Sequence, residues 1–73
     1  MTADPTHRAI HAVWILEAPT LIARLTRMVR DVGTAEELAQ DALVAALESW
    51  PAAGVPDNPA AWLAATARRR AVR

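Results

Sequence analysis

Two groups of side chains with opposite charge are the residues best suited to chemistry in this 73-residue chain. The acidic group, with one amide, lies near the middle at helical spacing: Glu37, Gln40, Asp41 and Glu48. The basic group lies at the end: Arg68, Arg69, Arg70 and Arg73. Carboxylates in such a group suit a basic protein surface, whereas guanidinium groups at helical spacing suit phosphate oxygens. This charge pattern is typical of a molecule that contacts both a basic protein and a nucleic acid.

Side chains that could support catalysis or bind a metal are scarce. His7 and His11 are four residues apart, so they share one face of a helix and could bind one metal ion together. No carboxylate or third histidine follows at a matching spacing. Ser49 is the only serine, and neither a catalytic triad nor a glycine-rich phosphate loop is present. We therefore expect no enzymatic activity, no cofactor and no metal site.

The overall composition restricts the class of protein further. The length suits one domain, and the eight arginines balance eight carboxylates, which excludes nucleic-acid binding through overall basicity. The absence of cysteine excludes a disulfide scaffold and a thiolate metal site. Apolar runs are shorter than the ~18 residues of a membrane span, and the first residues lack a secretory signal pattern. We expect a soluble protein in the cytoplasm.

The elements that position these groups are predicted to be helices. Alanine, leucine and arginine dominate the composition, while phenylalanine and tyrosine are absent, which favours an all-α fold. The positions of the helix-breaking residues proline and glycine predict about four helices, near residues 6–17, 19–31, 34–50 and 59–72. Pro19 is expected to kink the first pair or break it into two helices. Thr34 and Glu37 predict a capping box at the third helix, and Asn58-Pro59 predicts the start of the fourth.

Apolar periodicity also predicts the core and the outward face of the third helix. The predicted core residues are Trp14, Leu25, Leu38, Leu43, Leu47, Trp50, Trp62 and Leu63. At 100° per residue, Val44 falls among the acidic side chains on the opposite face of that helix. Because alanines bury little surface each, we expect modest stability, roughly 3–5 kcal/mol.

Two segments together resemble a known family. DVGTAEELAQDALVAALESW at 31–50, followed by NPAAWLAATARRRAV at 58–72, is similar to region 2 of bacterial sigma factors of the extracytoplasmic-function group. The resemblance covers the chain from about residue 9 onward. It implies a compact all-α bundle of about three to four helices and a promoter-specificity subunit of RNA polymerase. The second helical domain of that family is missing, so we expect a single region 2 domain from a longer chain.

The resemblance also implies roles for individual residues. Docking on the coiled coil of the beta-prime subunit clamp falls to Glu37, Gln40, Asp41 and Val44. Capture of a flipped base from the non-template strand of the minus-ten element falls to Pro56, Asp57 and Asn58. The DNA-facing helix carries Arg68, Arg69, Arg70 and Arg73, and Trp62 with Leu63 attaches that helix to the core.

The chain departs from the family pattern at two positions. Arg69 stands where the family usually has Asn, and a guanidinium reads guanine or phosphate better than adenine. Arg73 stands where the family often has Asp. The partners implied are the RNA polymerase core and promoter DNA, with an anti-sigma factor or another regulatory domain as a further candidate partner.

Two other interpretations compete with this one. The charge groups also suit a helical protein-interaction module without nucleic-acid binding, in which the acidic face binds a basic helix and the arginines complement the dipole of the last helix. A helix-turn-helix DNA binder is a third interpretation, ranked last because the predicted loop at 51–58 is long for that motif.

Overall fold

The structure, a computed structural model, describes residues 5–72 as three packed α-helices without a β-strand in that range. The helices are α1 (Pro5–Val29), α2 (Val32–Ala53) and α3 (Pro59–Ala71). Helix α1 packs most extensively against α2 and least against α3. The predicted all-α class is therefore confirmed. None of the helices in this range is long and apolar enough to cross a membrane.

Helix α1 continues through Pro19, so the predicted break into helices at 6–17 and 19–31 is wrong. Proline inside a helix removes one backbone hydrogen bond and costs about 3 kcal/mol. Ile10 before it and Leu21 and Leu25 after it are all buried in the same core. Burial of three large aliphatic side chains, at roughly 1.5–3 kcal/mol each, outweighs that local cost.

Arg30 ends α1 in a left-handed conformation. Its φ is 60°, and its backbone N–H donates to the Thr26 carbonyl at 2.7 Å. A left-handed residue after the last helical turn satisfies a carbonyl that would otherwise lack a partner, and glycine is the residue that usually does so. The chain therefore leaves α1 through a left-handed backbone conformation that is strained for a residue other than glycine.

Helix α2 begins at Val32 because Asp31 caps it, so the predicted capping box of Thr34 and Glu37 is wrong. The Asp31 carboxylate accepts the Thr34 hydroxyl hydrogen and, at 2.9 Å, the Thr34 backbone N–H. These two hydrogen bonds hold the pKa of the Asp31 carboxyl below its usual range, and the bond from the Thr34 hydroxyl has the larger effect. Thr34 is thus the residue that the cap binds, rather than the cap itself.

Helix α2 ends three residues later than predicted, at Ala53, so Pro51 lies in its final turn and the prediction that the loop begins at residue 51 is wrong. Gly54 closes it at a φ of 91°, donating its backbone N–H to the Trp50 carbonyl at 2.8 Å. Helix α3 starts as predicted, with Pro59 in its first turn and the Asn58 side chain accepting the Ala61 N–H at 3.1 Å. The cap joins residues only three positions apart, and the φ of proline is fixed by its own ring. Both properties are local, so the sequence predicts where this helix starts.

The core combines a few large side chains with many alanines. Its buried apolar residues are Ile10, Leu21, Leu25, Ala35, Leu38, Ala39, Ala42, Ala46, Trp50, Leu63, Ala64 and Ala67. Of the predicted core, Leu25, Leu38, Trp50 and Leu63 are buried, and Trp14, Leu43 and Trp62 are partly buried against it.

Leu47 is the exception to the predicted core, since 39% of it is exposed. Ala35, Ala39, Ala42 and Ala46 form a fully buried stripe along α2. Leu47 stands one residue after this stripe, hence about 100° around the helix, and faces outward. The prediction of a buried Leu47 is wrong because the alanines, and not the leucines, mark the centre of the buried face.

Candidate functional site

The outward side of α2 forms a stripe that we call the acidic face. Its members recur every three or four residues and therefore share one side of the helix: Glu37, Gln40, Asp41, Val44, Leu47 and Glu48. Asp41 is half-buried and the others are exposed, with Val44 52% exposed. Helix α2 carries four carboxylates and no cation. The acidic face can therefore bind a basic surface that also offers an apolar patch to Val44.

The loop between α2 and α3 presents two polar side chains beside the start of α3. Pro56 is half-buried, while Asp57 and Asn58 are exposed. The Asn58 side-chain oxygen is occupied by the Ala61 N–H, so its amide group retains only donors for a ligand. The Asp57 carboxylate has no hydrogen-bond partner among the described residues. Together the two side chains offer a donor and an acceptor for the edge of a base.

A cleft of about 350 Å³, called the α2–α3 cleft, lies between these helices. It is lined by Ala45, Glu48, Ser49, Trp62, Thr66, Arg69 and Arg70. The Arg69 guanidinium donates to the Thr66 hydroxyl at 3.3 Å, which orients the cation toward the cleft. An indole ring next to guanidinium and hydroxyl groups can stack on a base and bind the adjoining phosphate.

Trp62 is held in the cleft wall by Trp50. The two ring centroids are 5.2 Å apart with an interplanar angle of 69°, an edge-to-face arrangement. Trp50 is fully buried, and its Nε1 has no hydrogen-bond partner among the described residues. The sequence indicates Trp62 as part of the core, but it gives no sign that its ring lines a cleft.

The arginine run of α3 is divided between two surfaces. Arg69 and Arg70 line the α2–α3 cleft, whereas Arg68 lines a separate recess between α1 and α3. Adjacent helical residues differ by about 100°, so Arg68 and Arg70 point in widely different directions. Arg73 lies outside the described residues. The sequence groups these arginines, but of the three that the structure describes, Arg69 and Arg70 share a surface and Arg68 lies on another.

Three polar residues line the cleft although the sequence gives little sign of it: Glu48, Ser49 and Thr66. Thr66 is a buried hydroxyl three residues before Arg69, a spacing that places it within reach of that side chain. This spacing is the only signal in the sequence for its role. Ser49 and Glu48 are brought there by the packing of α2 on α3, which no local pattern specifies.

The histidine pair does not gain further metal ligands from the fold. His7 and His11 are both exposed on α1. Within residues 5–72, no group of three or more His, Cys, Asp or Glu side chains is arranged to hold a metal ion.

Comparison with known families gives a decisive match. The family model for sigma-70 region 2 matches residues 15–73, which is most of the chain. The chain belongs to the sigma-70 region 2 family. Sigma factors are the transcription initiation factors of bacterial RNA polymerase, and the match confirms the resemblance of the two sequence segments to region 2 of this family. The matched range includes α2, α3 and the part of α1 from residue 15 onward.

One relative is similar to part of this sigma region 2 domain. An uncharacterized protein of Rhizobium meliloti (strain 1021) is 44% identical over 45 residues, which cover 62% of this chain. The same alignment covers 11% of the relative, so the chain spans a small part of that protein's length. No solved structure matches the chain significantly.

Proposed function

We propose that this sigma region 2 domain recognises promoters for a cytoplasmic sigma factor of the extracytoplasmic-function group. The acidic face docks on the coiled coil of the beta-prime clamp, while the loop and the α2–α3 cleft bind and open the minus-ten element. One observation carries the proposal, namely that Glu37, Gln40, Asp41 and Val44 of the acidic face lie outside the arginine-bearing cleft, so that the two surfaces meet only at Glu48. One domain can therefore bind polymerase and DNA at the same time.

The clamp contact is supported by the charges and exposure of α2. No ion pair joins the carboxylates of α2 to another described side chain, so they are available to a basic partner. Val44 supplies apolar area in the middle of the acidic face. Exposed charges steer association and set the orientation of binding, and burial of the apolar residue slows dissociation. Glu37, Gln40, Asp41 and Val44 are the residues proposed to make this contact.

The DNA contact is supported by the first turn of α3, which connects the loop to the cleft because the Trp62 backbone N–H donates to the Asn58 carbonyl at 3.1 Å. In our proposal a base flipped from the non-template strand binds between Pro56, Asp57 and the Asn58 amide. The neighbouring backbone passes the Trp62 ring and the guanidinium groups of Arg69 and Arg70. Stacking of a base on an aromatic ring contributes about 1–3 kcal/mol. Arg68, which lies outside the cleft, and Arg73 contribute further phosphate contacts.

The structure suggests how to test the loop without disturbing the fold. Asn58→Ala removes the cap of α3, so any loss of DNA binding would mix folding with recognition. Asn58→Asp keeps a capping oxygen but replaces the free amide donors by an acceptor. Asp57→Asn makes the opposite change at an exposed side chain. Both variants should alter the preferred base at one promoter position.

The experiment is fluorescence anisotropy with forked minus-ten DNA across a salt series. Arg69→Ala should weaken binding to all sequences alike and lower the salt slope by about 0.7 per lost phosphate contact. Asp57→Asn should alter base preference with an unchanged slope. Arg27→Ala, at an exposed arginine of α1 outside the cleft, is the matched control and should bind like the parent. Equal slopes for the parent and for Arg69→Ala would favour the protein-interaction module.

The polymerase contact requires a separate binding measurement. Asp41→Arg should abolish capture by the isolated clamp coiled coil, because it opposes a cation to a basic surface. Because Asp41 is half-buried, the substitution could affect folding, and circular dichroism of the variant serves as the control. Unchanged affinity of a folded Asp41→Arg variant would refute the clamp assignment while leaving the DNA assignment intact.

A further inference from the structure

A second recess, called the α1–α3 groove, lies between α1 and α3 and has a volume of about 260 Å³. It is lined by Leu21, Arg24, Leu25, Met28, Ala64 and Arg68. Leu21 and Leu25 are buried, whereas Met28 is 45% exposed. Methionine adapts its shape to different apolar partners, and such residues are common at binding surfaces. The groove thus combines an apolar surface with two cations.

The two cations of the groove lack a counterion. Neither Arg24 nor Arg68 forms an ion pair with a described residue. The zero net charge of the chain conceals a strong separation by helix, because α2 has only carboxylates and α3 only arginines. Each sign therefore has its complement on a different surface of the same molecule.

We propose that the α1–α3 groove binds the acidic face of α2 from a second copy of this chain. Val44, at the centre of the acidic face, and Leu47, near its C-terminal end, are exposed and would contact Met28 and the apolar lining. Asp41 and Glu48 lie on either side of them, about 10 Å apart along the helix, and would pair with Arg24 and Arg68. Apolar contact at the centre with charges around it is the usual arrangement of a protein interface.

A second copy is favoured over DNA because of what lines the groove. A phosphate backbone requires a row of donors, whereas four of the six groove residues are apolar: Leu21, Leu25, Met28 and Ala64. The acidic face supplies both apolar side chains and carboxylates in one helical stripe. DNA bound in the groove would not use Val44 of another copy, so the Val44→Lys variant separates the two occupants in the test.

The size of the chain indicates a weak, salt-sensitive association. The accessible surface is 4903 Å², and a stable interface buries about 800 Å² on each partner, a sixth of that total. One helix face against one groove falls below that size, so dissociation constants of about 0.1–1 mM are expected at low salt. Screening of the exposed charges should weaken the association in ~1 M salt, where the Debye length is about 3 Å.

Self-association would cover the surface proposed above for the clamp. A copy whose acidic face occupies the groove of another copy cannot present that face to polymerase, so for that copy the two binding events exclude each other. This consequence rests on the proposed function, but the association itself does not. The two can fail independently, because Arg24 belongs to the groove and to neither the acidic face nor the α2–α3 cleft.

The experiment is sedimentation velocity on the 73-residue chain at increasing concentration, in low and high salt. The parent should show a weight-average mass that rises with concentration at low salt and stays monomeric at high salt. Arg24→Glu and Asp41→Arg should each be monomeric under both conditions. Arg27→Glu, an exposed arginine of α1 outside the groove, carries the same charge change and should associate like the parent.

A mixture of two variants provides the sharpest result. Arg24→Glu and Asp41→Arg should associate when mixed, because each restores an opposite charge across the contact. Val44→Lys provides a second variant on the acidic face at a half-exposed position, and it should also be monomeric. A parent that stays monomeric at every concentration would overturn the proposal. So would equal loss of association in Arg27→Glu, a mixture that stays monomeric, or a Val44→Lys variant that associates like the parent.

The same variants keep the proposal separate from the clamp assignment. Arg24→Glu should retain binding to the isolated clamp coiled coil, since it leaves the acidic face unchanged. Monomeric Arg24→Glu that binds the clamp supports both proposals. A parent that binds the clamp but never associates contradicts only the proposal made here. Loss of forked-DNA binding in Arg24→Glu, whose arginine has no proposed DNA contact, without any effect of Val44→Lys on sedimentation, would identify the occupant as DNA.

Discussion

Leu47 and Leu63 are chemically identical residues in very different surroundings, and truncating each to alanine tests the arrangement of the core. Leu63 is 1% exposed and lies in the core of the bundle. Leu47 is 39% exposed on the outward side of α2. The periodicity of the sequence predicts that both are buried, whereas the structure buries only Leu63. The two substitutions therefore separate the sequence expectation from the structure.

The expected losses differ by several-fold. Leu63→Ala removes a fully buried side chain and should lower the free energy of unfolding by about 2–5 kcal/mol. Leu47→Ala removes a side chain that already contacts water and should cost less than about 1 kcal/mol. Because a domain of this size has roughly 3–5 kcal/mol of stability, Leu63→Ala stands at the limit of folding. Leu47→Ala should stay folded.

Urea unfolding followed by helical circular dichroism at 25 °C measures both losses. The slope with denaturant should be unchanged in Leu47→Ala, so that the midpoint reports stability alone. If Leu63→Ala is unfolded in buffer, Leu63→Val removes less volume and should still give a folded variant with a measurable loss. Equal urea midpoints for Leu47→Ala and Leu63→Ala would contradict the orientation of α2 about its axis, in which the alanine stripe faces the core and Leu47 faces outward.

Three further predictions concern the ends of the helices. Arg30→Gly should raise the free energy of unfolding by about 0.5–1 kcal/mol, measured by thermal melting, because glycine adopts the positive φ without strain, and a lower melting temperature would contradict this. Asp31→Ala should destabilise the chain at neutral pH but not in strong acid. The pKa of Asp31 in the folded state is lowered from its ordinary 3.8. The contribution of Asp31 to the free energy of unfolding is therefore complete above pH 3.8 and is lost as the pH falls through the folded-state pKa. A difference in melting temperature between parent and variant that stays the same in acid would contradict this. Asn58→Ala should cost about 0.5–2 kcal/mol in urea unfolding, and Asn58→Asp much less, and equal losses would show that the cap does not act through its side-chain oxygen.

Local chemistry explains which helix ends can be predicted from the sequence. Asn58 and Pro59 define the start of α3 within two adjacent residues, and the structure begins the helix there. Asp31 and Thr34 are both good caps, so composition alone does not choose between them. Pro19 predicts a break from its own geometry, but contacts made far away in the sequence oppose it. Predictions succeed where the deciding atoms are neighbours along the chain.

The candidate site follows the same division. The acidic face is a property of one helix, and the sequence places Glu37, Gln40 and Val44 on it correctly as exposed residues, whereas Asp41, predicted to be exposed as well, is half-buried. The α2–α3 cleft requires the packing of two helices, and its Ser49 and Thr66 carry no pattern that connects them. The roles of these surfaces in polymerase and DNA binding remain predictions from the family and from their chemistry.

The alanine stripe of α2 has a consequence for how the domain tolerates mutation. Alanine loses no side-chain rotamer freedom on burial, so this part of the interface forms at little entropic cost. It also leaves no long side chain that could rearrange to accept added volume, and each added methyl or methylene group should cost about 1–3 kcal/mol through overpacking. Leu47 and Val44, on the outward side, can change to other residues without that penalty. Substitutions should therefore accumulate on the outward side of α2 and be rejected on its inward side, so that the surface of this helix can acquire new partners while its rotation stays fixed.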